Sequence, residues 1–485
     1  MTRLIPHVVA VIVALAATCA QARFIYTETN ATEVASGKDG KGTLTDGIWL
    51  LGAVRTKNTN NLNVNGAKGD FLGSKPSPLN LTEIYSEDGE TRYYAVSYET
   101  LSHYRGAAYS TLYDYKDMIT EFVAPDCHQT KGSGCFQYCT ALTNVQLNAY
   151  VTAIGGDRAF NGCQNLVAFY PRTLNLKSVV IGTFAGCVKL TGSFNLPDCT
   201  SMAESVFANC VALEDISAPL ITLISASSFS GCSALTNVVF SESLNTIQTS
   251  AFKDCSSLPG DVIRSMLSPG LIKLGSNLTD VKYIFTGCTS FDGELVWNFP
   301  LLGTGVDNKG NPTSTNVVGM SLFQGCTSLS KVTFKTDVFE IRGSAFKNLA
   351  PAAEMHMQAS VPSIAAQALG NTAGPFPLVY LRDNTEGWIT ALEPSYHVML
   401  KADFNNRGWS EMAGTSTRTR DNVVRRMVED TLMCSQDATT GDVSVSRKNV
   451  LAFCMRRYQG SNYFKDYVCF WLLREPSTGT RIMVQ

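Results

Sequence analysis

The chain has 485 residues, 45% of them apolar, which is enough for a sizeable core and leaves room for about three modules at ~150 residues each. Only 16% are charged, and 39 Lys and Arg against 41 Asp and Glu leave a net charge of −2. That balance excludes a nucleic-acid binder working through bulk positive charge, and it excludes a polyelectrolyte tail. Residues 1–22 carry Arg3 as a short positive region, an apolar run from Val8 to Ala17, and Ala20-Gln21-Ala22 before Arg23. This is the pattern of a secretory signal peptide with an A-x-A cleavage site. The run is far shorter than the ~20 residues a membrane span needs. The mature chain is therefore expected to be secreted or held at the cell surface, with no transmembrane segment.

Residues 23–117 are expected to form a β-rich capping region. Residues 48–54 read as a buried strand, and 79–85 and 92–98 flank Asp88-Gly89, a hairpin signal. Tyrosines crowd the segment from Tyr93 to Tyr115. Tyr104, Tyr109 and Tyr113 in it are candidates for partner contact, because an exposed aromatic stacks on a sugar ring or fills a partner's pocket. Packing of this cap onto the first repeat is the alternative.

From residue 118 a unit F-x-x-C-x-x-L recurs. It pairs Phe136 with Cys139, Phe160 with Cys163, Phe184 with Cys187 and Phe207 with Cys210. It continues with Phe229 and Cys232, Phe252 and Cys255, Phe285 and Cys288, and Phe323 and Cys326. A ninth, decayed copy has Phe346 with Leu349 in the Cys position. The Phe-to-Phe steps are 24, 24, 23, 22, 23, 33, 38 and 23 residues. Three residues after the Leu comes a second apolar residue, as in Val145, Phe169, Ile216 and Val332, opening a short period-2 strand. Five residues before the Phe sits another apolar anchor, such as Met202, Ile224, Ile247 or Ile341. One unit is too small to close a core, whereas stacked copies share one.

The succession L-x-x-V-x-F then I-x-x-x-A-F-x-x-C resembles the BspA-like, treponemal-type leucine-rich repeat, and Ile247 to Cys255 is a close match. The resemblance covers roughly residues 118–350, with decaying copies to about 400. It implies a repeat solenoid, a leucine-rich-repeat array of short parallel β-strands with turns and short helical pieces. Members are typically bacterial surface or secreted proteins implicated in adhesion and host-protein binding. Two units depart from the period. One carries about ten extra residues with a short helix expected at 262–267, and the other about fifteen around 303–315. Asn308, Lys309 and Asn311 in the latter are candidate partner contacts, because insertions in solenoids emerge on one face. A surface loop tolerated without function is the other reading.

Residues 401–485 read as a small C-terminal module of unknown role. Within it 421–433 suits an amphipathic helix with Val424, Met427, Val428 and Leu432 on one face, and 467–473 could pair with 481–484. Of fifteen cysteines, Cys19 lies in the signal and eight form the repeat ladder. One Cys per turn at an equivalent position is expected to be reduced and buried, because stacked side chains run parallel and reach a disulfide dihedral with difficulty. Cys127 with Cys139, and Cys199 with Cys210, are the pairs whose repeated spacing leaves a disulfide open.

Cys127, His128, Cys135 and Cys139 match no common zinc spacing, and His103, His356 and His397 stand alone. The sequence holds no G-x-S-x-G, no P-loop and no H-E-x-x-H. The expectation is a non-catalytic protein without metal or cofactor, binding an extracellular protein or glycan and no nucleic acid. A structural envelope scaffold with no dedicated ligand is the alternative.

Overall fold

The computed structural model describes strands between residues 52 and 124 and most of residues 133–476, outside 148–150, 268–281, 299–316, 405–416, 457–466 and a few scattered positions. The chain divides into two compact units, Met1–Ser243 and Leu244–Gln485. Both are built of parallel-strand solenoid turns, about nine in all, with little helix.

In the first unit Glu83–Ser86, Arg92–Val96, Gly52–Thr56 and Ile119–Ala124 pair antiparallel in that order. The hairpin expected around Asp88 forms, and the strand expected at 48–54 is described at Gly52–Thr56. Pairing turns parallel at Ile119–Ala124, which continues to Asn144–Leu147 and Ala168–Tyr170. Gly192–Asn195, Leu213–Ala218 and Asn237–Phe240 form a second parallel set, carrying the L-x-x-V-x-F strands. The apolar anchors lie on two-residue strands, Ser178–Val179, Ser201–Met202 and Leu223–Ile224, also parallel.

The second unit repeats this logic with Gly293–Trp297, Leu329–Phe334, Glu354–Met357 and Leu378–Leu381 in parallel. Its anchors are Val317–Val318, Glu340–Ile341 and Ser363–Ile364. The helix expected at 262–267 runs Gly260–Met266, two residues earlier than expected, with Pro259 as its N-cap. The C-terminal helix runs Thr417–Val428, not 421–433. Val423 and Met427 are buried, Val424 and Val428 partly so, and Leu432 is 63% exposed beyond the helix end. Cys469–Arg474 pairs parallel with Leu378–Leu381 and antiparallel with Val450–Arg456, which pairs in turn with Tyr396–Leu400. Residues 481–484, its expected partner, lie outside the described residues.

The repeat residues are the interior. Each Phe from Phe136 to Phe346 and each repeat Cys from Cys139 to Cys326 is fully buried. In the first unit the rings of Phe136, Phe160, Phe184, Phe207 and Phe229 stack with centroids 5.3–5.8 Å apart and planes within 8°. In the second, Phe252, Phe285, Phe323 and Phe346 stack at 5.5–5.9 Å with planes within 15°. Strands lie only ~4.8 Å apart, so the rings slip into the offset stack that their quadrupoles favour. Along the array Phe N–H groups donate to the carbonyl preceding the next turn's Phe, as from Phe160 to Thr183 at 2.8 Å and Phe323 to Ala345 at 2.9 Å.

The cysteine has its own partner. Its thiol donates to the Phe carbonyl one turn back, from Cys163 to Phe136 at 3.0 Å, Cys187 to Phe160 at 3.2 Å and Cys210 to Phe184 at 3.1 Å. The same bond runs from Cys232 to Phe207, Cys288 to Phe252 and Cys326 to Phe285, at 3.0–3.3 Å. Cys199 and Cys210 are both free thiols, Cys199 donating to Ser201 O; Cys127 lies outside the described residues. The residue before each repeat Cys is left-handed, and apart from Tyr138 it is Gly, Asn or Asp, as in Gly162, Asn209, Asp254 and Gly325. At Gly162, φ is +75° and a Cβ would lie 2.4 Å from the Tyr138 ring, so glycine is required twice over.

The array's end is closed by polar side chains. Asn371 Oδ1 accepts the Leu349 N–H at 2.9 Å and its Nδ2 donates to Leu349 O at 3.0 Å, while its backbone pairs with Cys469. The buried Tyr396 hydroxyl accepts the Leu369 N–H and donates to Leu369 O, both at 3.0 Å. The decay at Phe346 is thus one of residue identity and not of packing. Phe346 is 0% exposed and meets Phe334 edge-on.

Phe346→Ala should accordingly destabilise by about 3–5 kcal/mol, the same as Phe252→Ala, through a cavity between turns. Urea titration of the two variants checks this. Tyr396→Phe should cost about 1–3 kcal/mol by stranding the Leu369 amide and carbonyl, read from the same titration.

Burial pushes the Cys232 thiol up to about 12 and those of Cys163, Cys210 and Cys288 well above the ordinary thiol range. An unfolded thiol ionises near pH 8.5, so this stability is fully present below that pH and is lost as pH rises towards the folded values. In reducing buffer, the stability advantage of wild type over Cys232→Ala should shrink by about 2 kcal/mol between pH 8 and 10. Urea midpoints at the two pH values measure it.

Candidate binding surface

Alternation along the L-x-x-V-x-F strands sends every second residue outward, and parallel register lines these residues into rows. In the first unit one row holds Asn144 beside Ala168 and another Gln146 beside Tyr170. Thr173 bridges Asn195, and Asn195 pairs with Ser217, which pairs with Val239. Tyr170 is 47% exposed. The Arg172 guanidinium carbon lies 5.8 Å from its ring centroid and 5.2 Å from that of the buried Phe194. Burial lowers the Arg172 pKa from its ordinary value, which still leaves a cation at neutral pH. Ser193 Oγ donates to Asp215 Oδ2 at 2.7 Å across adjacent strands.

The second unit's outward rows are charged. Glu294, Lys331 and Glu354 align on one, and Val296, Thr333, His356 and Tyr380 on the other. Lys331 Nζ lies 3.3 Å from Glu294 Oε1, which also accepts the Thr333 hydroxyl; Thr333 first and then Lys331 hold the Glu294 carboxyl below its ordinary pKa. The His356 ring stacks on Tyr380 at 4.9 Å and 8°, with Nδ1 3.0 Å from Glu475 Oε1 and Nε2 3.5 Å from Glu354 Oε2. Arg447 Nη1 donates to the Tyr380 hydroxyl at 2.9 Å. Burial, then the nearby Glu354 carboxylate, raises the Tyr380 pKa.

His356 looks solitary in sequence because Glu475 lies 119 residues away and Tyr380 joins it only through strand register. Its outward position two residues after Glu354, in phase with the repeat, is the one signal that places it here. Asn308, Lys309, Asn311 and Tyr113 lie outside the described residues. Tyr104 and Tyr109 sit on the short antiparallel strands Tyr104–Arg105 and Tyr109–Ser110, of which the backbone is described. Among the described residues no three His, Cys, Asp or Glu side chains are grouped to hold a metal ion, and no helix is long and apolar enough to cross a membrane.

Short parallel strands, two left-handed corners per turn and a shared Phe–Cys–Leu interior define a leucine-rich repeat solenoid. Its repeats are of one particular kind. Six copies, over residues 109–220 and 307–374, match the family described as BspA type Leucine rich repeat region, and the repeats in those stretches are of that type. No curated protein matches the chain.

Solved structures similar to it include a leucine rich cell surface protein from Faecalibacterium prausnitzii A2-165, 17% identical over 51% of this chain and 81% of that one, with a TM-score of 0.24. A leucine-rich repeat protein from Bacteroides ovatus ATCC 8483 is 17% identical over 62% and 88%, with a TM-score of 0.31. The T. pallidum Leucine Rich Repeat protein is 19% identical over 31% and 76%, with a TM-score of 0.23. Likenesses this loose carry no argument about what the chain binds.

Proposed function

We propose that this is an exported, non-catalytic protein that binds an extracellular protein or glycan at or outside the cell surface through the outward rows of its repeat sheets. The observation that supports this is the division of labour along each strand. Inward positions carry buried apolar side chains, such as Leu213, Ile216 and Ala218 or Leu329, Val332 and Phe334, and outward ones bring polar and aromatic groups from successive turns to strand spacing. Affinity on such a surface is spread over many contacts and needs no deep pocket. The signal-peptide pattern of residues 1–22 supports export. Of the described thiols, burial holds those of Cys163, Cys210, Cys232 and Cys288 above the ordinary thiol range, which makes them poor nucleophiles and supports a non-catalytic role.

The insertion around 303–315, with Asn308, Lys309 and Asn311, is proposed to add contacts to this surface. The test is saturable binding of the mature protein to immobilised extracellular-matrix proteins and to a glycan array. Deleting 303–315 should weaken that binding several-fold and leave the melting temperature within a few degrees, since surface loops contribute little to closure entropy. Ordered self-assembly with no ligand bound in either assay would overturn this reading in favour of an envelope scaffold.

A further inference from the structure

We propose that the surface around the loop 446–449 is a docking patch for an anionic lipid bilayer, holding the chain at a membrane surface whatever the repeat rows bind. The loop joins Val443–Val445 to Val450–Arg456, and Arg447 and Lys448 stand side by side in it. The fold brings two further cations. Lys401 Nζ donates to Lys448 O at 3.1 Å and to Arg447 O at 3.4 Å. The Arg474 N–H donates to Asn449 O at 2.9 Å, and Asn449 Nδ2 donates to Arg474 O at 2.8 Å. Arg447, Lys448 and Arg474 are exposed, and Lys401 is half-buried.

These charges are open. Among the described residues none of the four is ion-paired. Arg447 commits one nitrogen to the Tyr380 hydroxyl, and a guanidinium has donors to spare. Of the neighbouring carboxylates, Glu429 is paired with Arg426, and Asp430 is buried and accepts from Phe376 and Trp471. Glu475, held at His356, and Asp403, close to Lys401 in the sequence, offset two charges at most. The patch stays positive.

Apolar side chains flank the same loop. Leu432 is 63% exposed, the most open large hydrophobic among the described residues, and the Ser446 hydroxyl donates to its carbonyl at 3.2 Å. Leu400, 38% exposed, immediately precedes Lys401. A polyanion in solution would meet the cations and leave both leucines in water. A bilayer takes both kinds of group: its phosphates accept from Lys and Arg at headgroup depth, and leucines enter the boundary with the acyl chains. The long Lys and Arg stems bridge that depth.

The test is flotation of the mature protein with vesicles of mixed phosphatidylglycerol and phosphatidylcholine, against vesicles of phosphatidylcholine alone. The mixed vesicles should bind, the neutral ones should not, and added salt should weaken the binding. Arg447→Gln with Lys448→Gln should weaken it about tenfold or more, since each cation near an anionic surface is worth roughly fivefold. Lys448→Gln alone, expected to lose about fivefold, carries the charge test should the double variant not fold. Leu432→Ser should weaken binding about threefold or more and leave the urea midpoint unchanged. The proposal fails if the mixed vesicles are not bound, if phosphatidylcholine binds as tightly, or if the charge variants bind like wild type. Tight binding to soluble heparin with no effect of Leu432→Ser on vesicles would assign the patch to a polyanion in solution and overturn the lipid reading. Failure of the matrix and glycan assays with vesicle binding intact would remove the function proposed above and leave this patch standing.

Discussion

No turn of this chain can bury its own phenylalanine. The ring of each repeat is covered by the ring of the next, and the carbonyl of that same Phe is reached by the thiol of the following turn. Stacking and hydrogen bonding therefore run in one direction, turn to turn, through side chains spaced by the same interval. Everything else follows from keeping that interval: small or carboxamide-bearing residues at the left-handed corner, a Leu to seal the strand, and extra residues admitted only between anchors.

The cysteine is thus more than a small apolar filler. A Phe carbonyl already accepting the local turn N–H retains a second lone pair, and the thiol of the next turn occupies it without importing a costly polar group into the core. Serine would fill less volume and bury a stronger dipole. Where the ladder stops, at Leu349, the polar work passes to Asn371 and to the Tyr396 hydroxyl, which tie the last turns to the C-terminal strands. A stack of parallel strands ends in unpaired amides and carbonyls, and these two side chains meet that need where another turn is missing. In the first unit the antiparallel strands joined to Ile119–Ala124 extend the sheet that Asn144–Leu147 and Ala168–Tyr170 continue.

Because the interior is occupied, variation is free only on the outside, and the two units have used it differently. The first presents carboxamides, hydroxyls and exposed tyrosine, Tyr138 and Tyr170 among them; the second presents alternating charge that is largely satisfied within itself, from Lys331 through Glu294 to Thr333 and from His356 to Glu475. A face whose charges neutralise one another offers a partner less net attraction than its residue count suggests.

The period, the identity of the core and the solenoid class were legible in the amino-acid sequence, because each depends on a pattern that returns every 22 to 24 residues. The recurrence of Phe, Cys and Leu suffices to say which residues face one another in successive turns. Only the tertiary structure showed what the cysteine bonds to, because its acceptor is a backbone carbonyl and leaves no mark on residue type. Only it joined His356 to Glu475, stranded Leu432 in solvent and put Cys469–Arg474 into the repeat sheet. Those outcomes rest on contacts between segments that share no period, and a pairing made once in a chain has nothing to repeat.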